Sequence, residues 1–169
     1  MVRGEEPRDW YDVYELNASV FETKAEAELV NALRAQAAPV VSLIAELDGA
    51  LVGHVMFSPV ALLGHSGLNL MGLAPMAVTQ RHQREGIGSA LVRAGLQRCK
   101  ELGAGAVVVL GHAAYYPRFG FTPSARFDIK CEYDVAEEAF MILELVPEYL
   151  AGKTGTIRYH AAFGALEPR

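Results

Sequence analysis

Two glycines at the start of an amphipathic segment most constrain how this chain can fold. Residues 83–91 read QREGIGSAL and run directly into a helical pattern, in which apolar residues recur every three or four positions. Those positions are Ile87, Leu91, Ala94, Gly95, Cys99 and Leu102. Glycines let the backbone approach a ligand, and the first N–H groups of a helix have no partner within it. The pattern therefore predicts an anion site, suited to a phosphate, where the loop meets the helix.

Two kinds of phosphate-binding loop contain glycine pairs of this sort. The Rossmann fingerprint places its first glycine directly after a buried strand, with an acidic residue about 20 positions later. Here the polar residues 79–85 precede Gly86, and the next predicted strand ends in Leu110-Gly111-His112 without an acid, which disfavours a dinucleotide site. Residues 83–88 instead match every fixed position of the pattern Q/R-x-x-G-x-G/A.

Length and composition are those of an ordinary globular domain. The chain has 169 residues, 51% hydrophobic and 21% charged, which is enough for one domain with a sizeable core. A net charge of −5 disfavours nucleic acid as a partner, and no apolar run is long enough for a membrane span. Cys99 and Cys131 lack metal-site spacing, so we expect no metal and two reduced thiols. With acids in residues 1–7, these features predict a cytoplasmic protein, either a monomer or a homodimer.

The remaining patterns predict an ordered series of elements. In order, they are a strand over 11–16, a helix over 21–36, three antiparallel strands in series, a helix over 87–102, a strand over 106–110, a helical turn over 115–121 and a strand over 139–146. The three antiparallel strands comprise the apolar runs 40–47, 50–57, 60–63 and 68–78. Asp48-Gly49 between two apolar runs is a strong hairpin signal, and Thr23 and Glu26 have capping-box spacing. The continuous apolar run over 106–110 favours a strand parallel to its neighbour. This order indicates an α/β protein with a mixed sheet.

A second motif lies about 28 residues after the glycine pair. Residues 115–121 read YYPRFGF and resemble the Y-Y-x-R-F-G-F segment of small bacterial predicted N-acetyltransferases of the GNAT superfamily. The glycine loop resembles the pyrophosphate loop of the same superfamily, and the order of elements is similar too. The resemblance covers about residues 9–163 and implies one GNAT domain over 1–169, its mixed sheet splayed between the fourth and fifth strands and flanked by helices.

The resemblance implies an N-acetyltransferase. Its co-substrate would be acetyl-CoA, and the acceptor a primary amine of a small molecule or protein that attacks the thioester directly in a ternary complex. The loop would hold the pyrophosphate and the edge of the fourth strand the pantetheine arm, so the expected cofactor-binding residues are Met76, Ala77, Val78, Gln83, Arg84, Glu85, Gly86, Ile87, Gly88 and Ser89. Pro75 suits a strand that has lost its partner, although it would equally suit a strand end.

Two side chains are candidates for proton transfer. Tyr116 lies four residues before Gly120, where the family places a tyrosine that protonates the leaving thiolate; the alternative is that Tyr115 and Tyr116 only pack a turn, and Tyr115 is expected in the core. Residues 68–79 contain no Asp or Glu, so the base must come from elsewhere. His112, just past a buried strand, is the preferred candidate because imidazole titrates near neutral pH, with water as the alternative. A hydrogen bond from His112 to the cofactor, or a solvated loop histidine without a role, fits its position equally well. His54, inside an apolar strand, is expected to be a core residue.

Other functions fit the same patterns. An acyl-CoA-binding regulatory module with little or no transfer activity is one, and an O-acyl or longer-acyl transferase is another. The charged segment 124–138 would face the acceptor, where its acids would attract a cationic amine or simply form a solvated surface.

Overall fold

The computed structural model describes residues 1–166 as a mixed sheet flanked by helices. Its elements are β1 Val2–Gly4, α1 Trp10–Val20, α2 Ala25–Gln36, β2 Val41–Leu47, β3 Ala50–Leu62, β4 Leu70–Val78, α3 Ile87–Glu101, β5 Ala106–Leu110, β6 Thr122–Pro123, β7 Ile129–Cys131, β8 Phe140–Glu144 and β9 Gly155–Arg158. Short 3-10 turns connect several of them, including one at Tyr116–Phe119.

The sheet separates two buried cores. Its main path runs β1-β2-β3-β4-β5-β8-β6; β4 and β5 are parallel, and the other neighbours on the path are antiparallel. Helix α3 packs on one side, which we call the α3 face, and α1 and α2 pack on the other, the α1/α2 face. Successive residues of β3, such as Met56 and Phe57, point into opposite cores because side chains alternate along a strand. The mixed α/β sheet expected from the sequence is confirmed.

The prediction of a first strand over residues 11–16 is wrong. That segment lies in α1, where Val13, Leu16 and Asn17 are buried at the i, i+3, i+4 spacing of a helix while Tyr11 is exposed. The charged residues of this segment, Asp12 and Glu15, lie three positions apart, which is a helical spacing, and packing of Val13 and Leu16 in the core is consistent with it. The actual first strand, β1, pairs with β2.

The helix predicted over residues 21–36 begins later than expected. Phe21 ends α1, and α2 begins at Ala25. The Thr23 hydroxyl accepts a hydrogen bond from the Ala25 N–H at 3.1 Å, so Thr23 sits one position too early to form the predicted capping box with Glu26. The predicted hairpin is confirmed: Asp48 and Gly49 have φ of 51° and 81°, the left-handed backbone that a tight two-residue turn between β2 and β3 requires.

The helix after the glycine loop and the buried strand that follows it are confirmed. Leu91 and Cys99 of α3 are fully buried, although Leu102, at the helix end, is exposed. Gly95 lies so close to β3 that a Cβ atom there would be 2.1 Å from the Phe57 ring. The contact brings α3 tightly against the sheet and so fixes where its first turn lies.

Candidate active site

The sheet opens between β4 and β5. Their pairing ends at Leu73 and Val109, while β4 continues to pair with β3 as far as Val78. Opposite Met56 of β3, β4 carries two residues, Ala74 and Pro75, which is a β-bulge. Pro75 therefore lies inside the strand at the point where β4 parts from β5, and the alternative that it caps the strand is wrong.

Three of the predicted cofactor residues lie beyond the bulge. Met76, Ala77 and Val78 form the last part of β4, whose edge toward β5 is open. Met76 and Val78 are half-buried and Ala77 is buried. Backbone N–H and C=O groups on an open strand edge are free to bind an extended ligand.

Side-chain contacts tie the loop after β4 to the sheet. The Gln83 side-chain amide donates a 3.1 Å hydrogen bond to the carbonyl of Val78, the last residue of β4. Glu85 pairs with the Nδ1 atom of His82 at 3.0 Å. The glutamine of the motif thus fixes the loop relative to the strand edge, a role that the sequence pattern alone does not reveal.

The start of α3 presents unpaired N–H groups. Arg84 and Gly86 have φ of 67° and 87°, a left-handed backbone that turns the loop sharply before the helix. The first helical bond runs from the N–H of Ala90 to the carbonyl of Gly86 at 3.0 Å. The N–H groups of residues 87–89 donate to no described residue, as expected of a first turn, and the helix dipole adds partial positive charge there. This geometry fits an anion such as a phosphate group.

Tyr115 is half-buried: it packs against the core of the α3 face, in line with the expectation, while its hydroxyl reaches the start of α3. Its hydroxyl shares a 2.9 Å hydrogen bond with the Ser89 hydroxyl, in the first turn of α3. The Arg118 guanidinium lies 4.3 Å above its ring. The contact with Ser89 joins residues 26 apart in sequence, so no local pattern signals it.

Tyr116, the next residue, is almost fully buried in the core of the α3 face. Its side chain is 7% exposed, and its ring packs so closely on Gly111 that a Cβ atom there would lie 2.4 Å away. The rings of Tyr115 and Phe121 meet it edge to face at 5.0 and 5.8 Å. Its hydroxyl forms no hydrogen bond with the residues that the structure describes. Burial, together with nearby Tyr115, raises the pKa of Tyr116 to about 12, so the phenol keeps its proton at neutral pH.

His112 follows β5 and is exposed. Its carbonyl accepts hydrogen bonds from the N–H groups of Tyr115 and Tyr116 at 3.0 and 3.4 Å. The fold therefore places both candidate catalytic residues in one turn at the carboxyl end of β5, next to the gap between β4 and β5. Its imidazole contacts no polar partner among residues 1–166.

The other reactive side chains are structural. His54 is fully buried between the Asn17 amide at 3.3 Å and the Ser42 hydroxyl at 2.9 Å, and burial lowers its pKa to about 3. The expectation that it is a core histidine is confirmed. Burial also raises the pKa of the Cys99 thiol to about 12, and Cys131 is not bonded to it. The described part of the chain has no group of three or more His, Cys, Asp and Glu side chains able to hold a metal ion, and its helices are too short or too polar to span a membrane.

These features define a class of protein. A strand edge that parts from its parallel neighbour, a glycine loop and a helix start that presents free N–H groups occur together in acyl-CoA transferases of the GNAT type. The model of the acetyltransferase (GNAT) family matches residues 8–121, more than half of the chain. The chain therefore belongs to the GNAT acetyltransferase family.

Particular relatives extend this likeness over nearly the whole chain. The uncharacterized N-acetyltransferase YhbS of Escherichia coli K12 is 38% identical over 164 residues, which cover 96% of this chain and 98% of YhbS. The crystal structure of Escherichia coli YhbS in complex with CoA has a TM-score of 0.91, covering 97% of this chain and 91% of that one. A GNAT acetyltransferase from Brucella melitensis in complex with acetyl-CoA is 34% identical, with a TM-score of 0.79 and coverage of 96% and 97%.

Proposed function

We propose that this protein transfers an acetyl group from acetyl-CoA to a primary amine, by direct attack of the amine on the thioester in a ternary complex. The observation that carries the proposal is the start of α3, where the N–H groups of residues 87–89 have no partner among the described residues and lie beside the open edge of β4. A pyrophosphate satisfies such N–H groups, and an extended pantetheine arm satisfies such an edge. Structures of the two relatives in complex with CoA and with acetyl-CoA support this cofactor as the ligand.

Each predicted cofactor residue has a role in this proposal. The backbone of residues 84–89 binds the pyrophosphate, Gln83 holds the loop against β4, and residues 76–78 bind the pantetheine arm. Tyr115 and Ser89 share a hydrogen bond at the first turn, so their hydroxyls orient the end of the arm nearest the pyrophosphate. Holding the thioester in one position lowers the entropic part of the barrier.

The chemistry needs two proton transfers. The amine nitrogen forms a bond to the thioester carbon, the carbon–sulfur bond breaks, and the departing thiolate takes its proton from Tyr116, which burial keeps protonated. The attacking amine gives its surplus proton to His112 or to a water molecule. His112 is exposed and passes that proton on to solvent.

The test is an assay of thiol release from acetyl-CoA with a panel of amines and peptide N-termini, beside calorimetry with CoA. Acetyl transfer to at least one amine, detected as new thiol and acetylated product, is the expected result. Binding of CoA without transfer to any acceptor would favour a regulatory module, and transfer only to hydroxyls or from longer acyl donors would favour the other alternative. No binding of CoA would overturn the proposal. A cytoplasmic location and a monomeric or homodimeric state stay predictions.

A further inference from the structure

A cavity of about 670 Å³ lies between β7 and the segment that leads into β8. Ile129 and Phe140, on its walls, belong to the core of the α1/α2 face. The cavity therefore lies on the side of the sheet opposite α3, away from the proposed pyrophosphate site.

The cavity adjoins the candidate catalytic turn. Phe140 pairs with Leu110, the last residue of β5, and the Gly111 N–H donates to the carbonyl of Ala139 at 2.9 Å. The Tyr116 ring packs on Gly111 from the α3 face. The cavity thus lies one strand away from the end of β5, on the side of the sheet opposite the proposed acid.

The walls of the cavity carry an excess of negative charge. Its charged residues are Asp128, Lys130, Glu132, Asp134 and Glu137. Glu132 accepts a hydrogen bond from the N–H of Tyr159 and so has a structural role. The carboxylates of Asp128, Asp134 and Glu137 have no hydrogen bond or ion pair with any described residue. The cluster is no metal site, because no three such side chains in residues 1–166 lie close enough to hold an ion.

An unpaired hydroxyl also lines the cavity. Ser124 is only 4% exposed, yet its hydroxyl has no hydrogen-bond partner in the described part of the chain. The hydroxyl oxygen is not among the fully buried unpaired atoms, so the small accessible part of this side chain includes its polar atom. A hydrogen-bonding group of a molecule bound in the cavity could pair with it.

We propose that the acyl acceptor is a small amine with at least two amino groups, and that this cavity binds the end that does not react. The proposal rests on the acetyltransferase function proposed above. The reacting amine must be neutral to attack, so it gains little from carboxylates. A second, distal ammonium keeps its charge and is attracted by the negative charge of the cavity walls, which Asp128, Asp134 and Glu137 supply.

The test compares α,ω-diamines of three to six carbons with the monoamines of the same chain lengths. For at least one length, we expect kcat/KM for the diamine to exceed that for the monoamine by tenfold or more. Asp134→Asn and Glu137→Gln should reduce this preference about tenfold and leave the Kd for CoA unchanged. Glu138→Gln is the matched control, because this neighbouring acid does not line the cavity, and it should keep the full preference.

The outcomes separate this inference from the proposed function. Equal kcat/KM for diamines and monoamines at every length would overturn the proposal that the acceptor is a diamine. So would a loss of the diamine preference in Glu138→Gln as large as that in the two cavity variants. In either case the proposed acetyl transfer itself would be unaffected. If no amine is acetylated, diamine binding to the wild type and to Asp134→Asn is measured by calorimetry. Binding that Asp134→Asn weakens supports the cavity as a diamine site; absence of binding overturns it.

Discussion

At the scale of single residues, two adjacent tyrosines have different environments. The Tyr115 hydroxyl reaches the first turn of α3, where it meets Ser89, whereas Tyr116 is buried against Gly111 and its hydroxyl has no described partner. The Tyr115 hydroxyl is engaged by Ser89, whereas the Tyr116 hydroxyl stays available to a bound molecule. We infer that Tyr115 positions the cofactor and that Tyr116 is the acid.

Phenylalanine at each position separates these roles. Tyr116→Phe should lower kcat by roughly 10²-fold with an unchanged Kd for CoA, because the proton donor is lost but the binding loop is intact. Tyr115→Phe should raise the Kd for CoA about fivefold, the effect of about one lost hydrogen bond, and leave kcat nearly unchanged. Steady-state kinetics and calorimetry measure both. An unchanged kcat in Tyr116→Phe would mean that this tyrosine only packs in the core and is not the acid.

The pH profile tests the two proton transfers. The acid form of Tyr116 is present below its pKa of about 12 and is lost only as the pH rises through that value, so kcat should not fall between pH 7 and 10. If His112 is the base, His112→Ala should change the pH dependence of kcat/KM and leave only a limb near pH ~10, set by a simple alkylamine. If the pH profiles of kcat/KM for the wild type and His112→Ala coincide, water is the base.

At the scale of elements, the glycines of α3 and its loop serve different purposes. Gly86 has a φ of 87° and no atom within 4 Å of where a Cβ atom would lie, whereas Gly88 has ordinary room for a methyl group. Gly95 has no such room because of Phe57. One substitution, glycine to alanine, therefore has three different expected effects.

At the glycine loop, replacement of glycine by alanine tests CoA binding. Gly86→Ala should weaken CoA binding about tenfold, since alanine disfavours the left-handed backbone by roughly 1–2 kcal/mol and the loop relaxes from its binding conformation. Gly88→Ala should bind CoA almost as well as the wild type, and the motif itself admits alanine there. Calorimetry on both variants checks this, and a reversed order of affinities would contradict the proposed role of the turn.

Within α3, replacement of Gly95 by alanine affects the stability of the folded protein. Gly95→Ala should lower the free energy of unfolding by about 1–3 kcal/mol, because overpacking against Phe57 outweighs the better helix propensity of alanine. Gly88→Ala in the same helix is the control and should be neutral or slightly stabilising. Denaturant unfolding of the three proteins provides the comparison, and a Gly95→Ala protein as stable as the control would show that α3 can move away from β3.

At the scale of the whole molecule, strong local signals predicted most of the fold. The Asp48-Gly49 hairpin, α3 and β5 each have a distinct local pattern and lie where expected. Strands β7 and β9 have three and four residues with mixed polarity, so only their pairing with each other and with β3 defines them. The contact between Tyr115 and Ser89 and the cavity below β8 likewise depend on long-range packing, which no local pattern encodes.

The central claim is that CoA binds with its pyrophosphate at the start of α3, and a titration followed by backbone amide NMR tests it most directly. The amide signals of Ile87, Gly88 and Ser89 should shift strongly on addition of CoA, because their N–H groups then gain charged acceptors. The signal of Gly152, in an exposed turn, should stay unchanged. Binding of CoA with no change at these three amides would contradict the account.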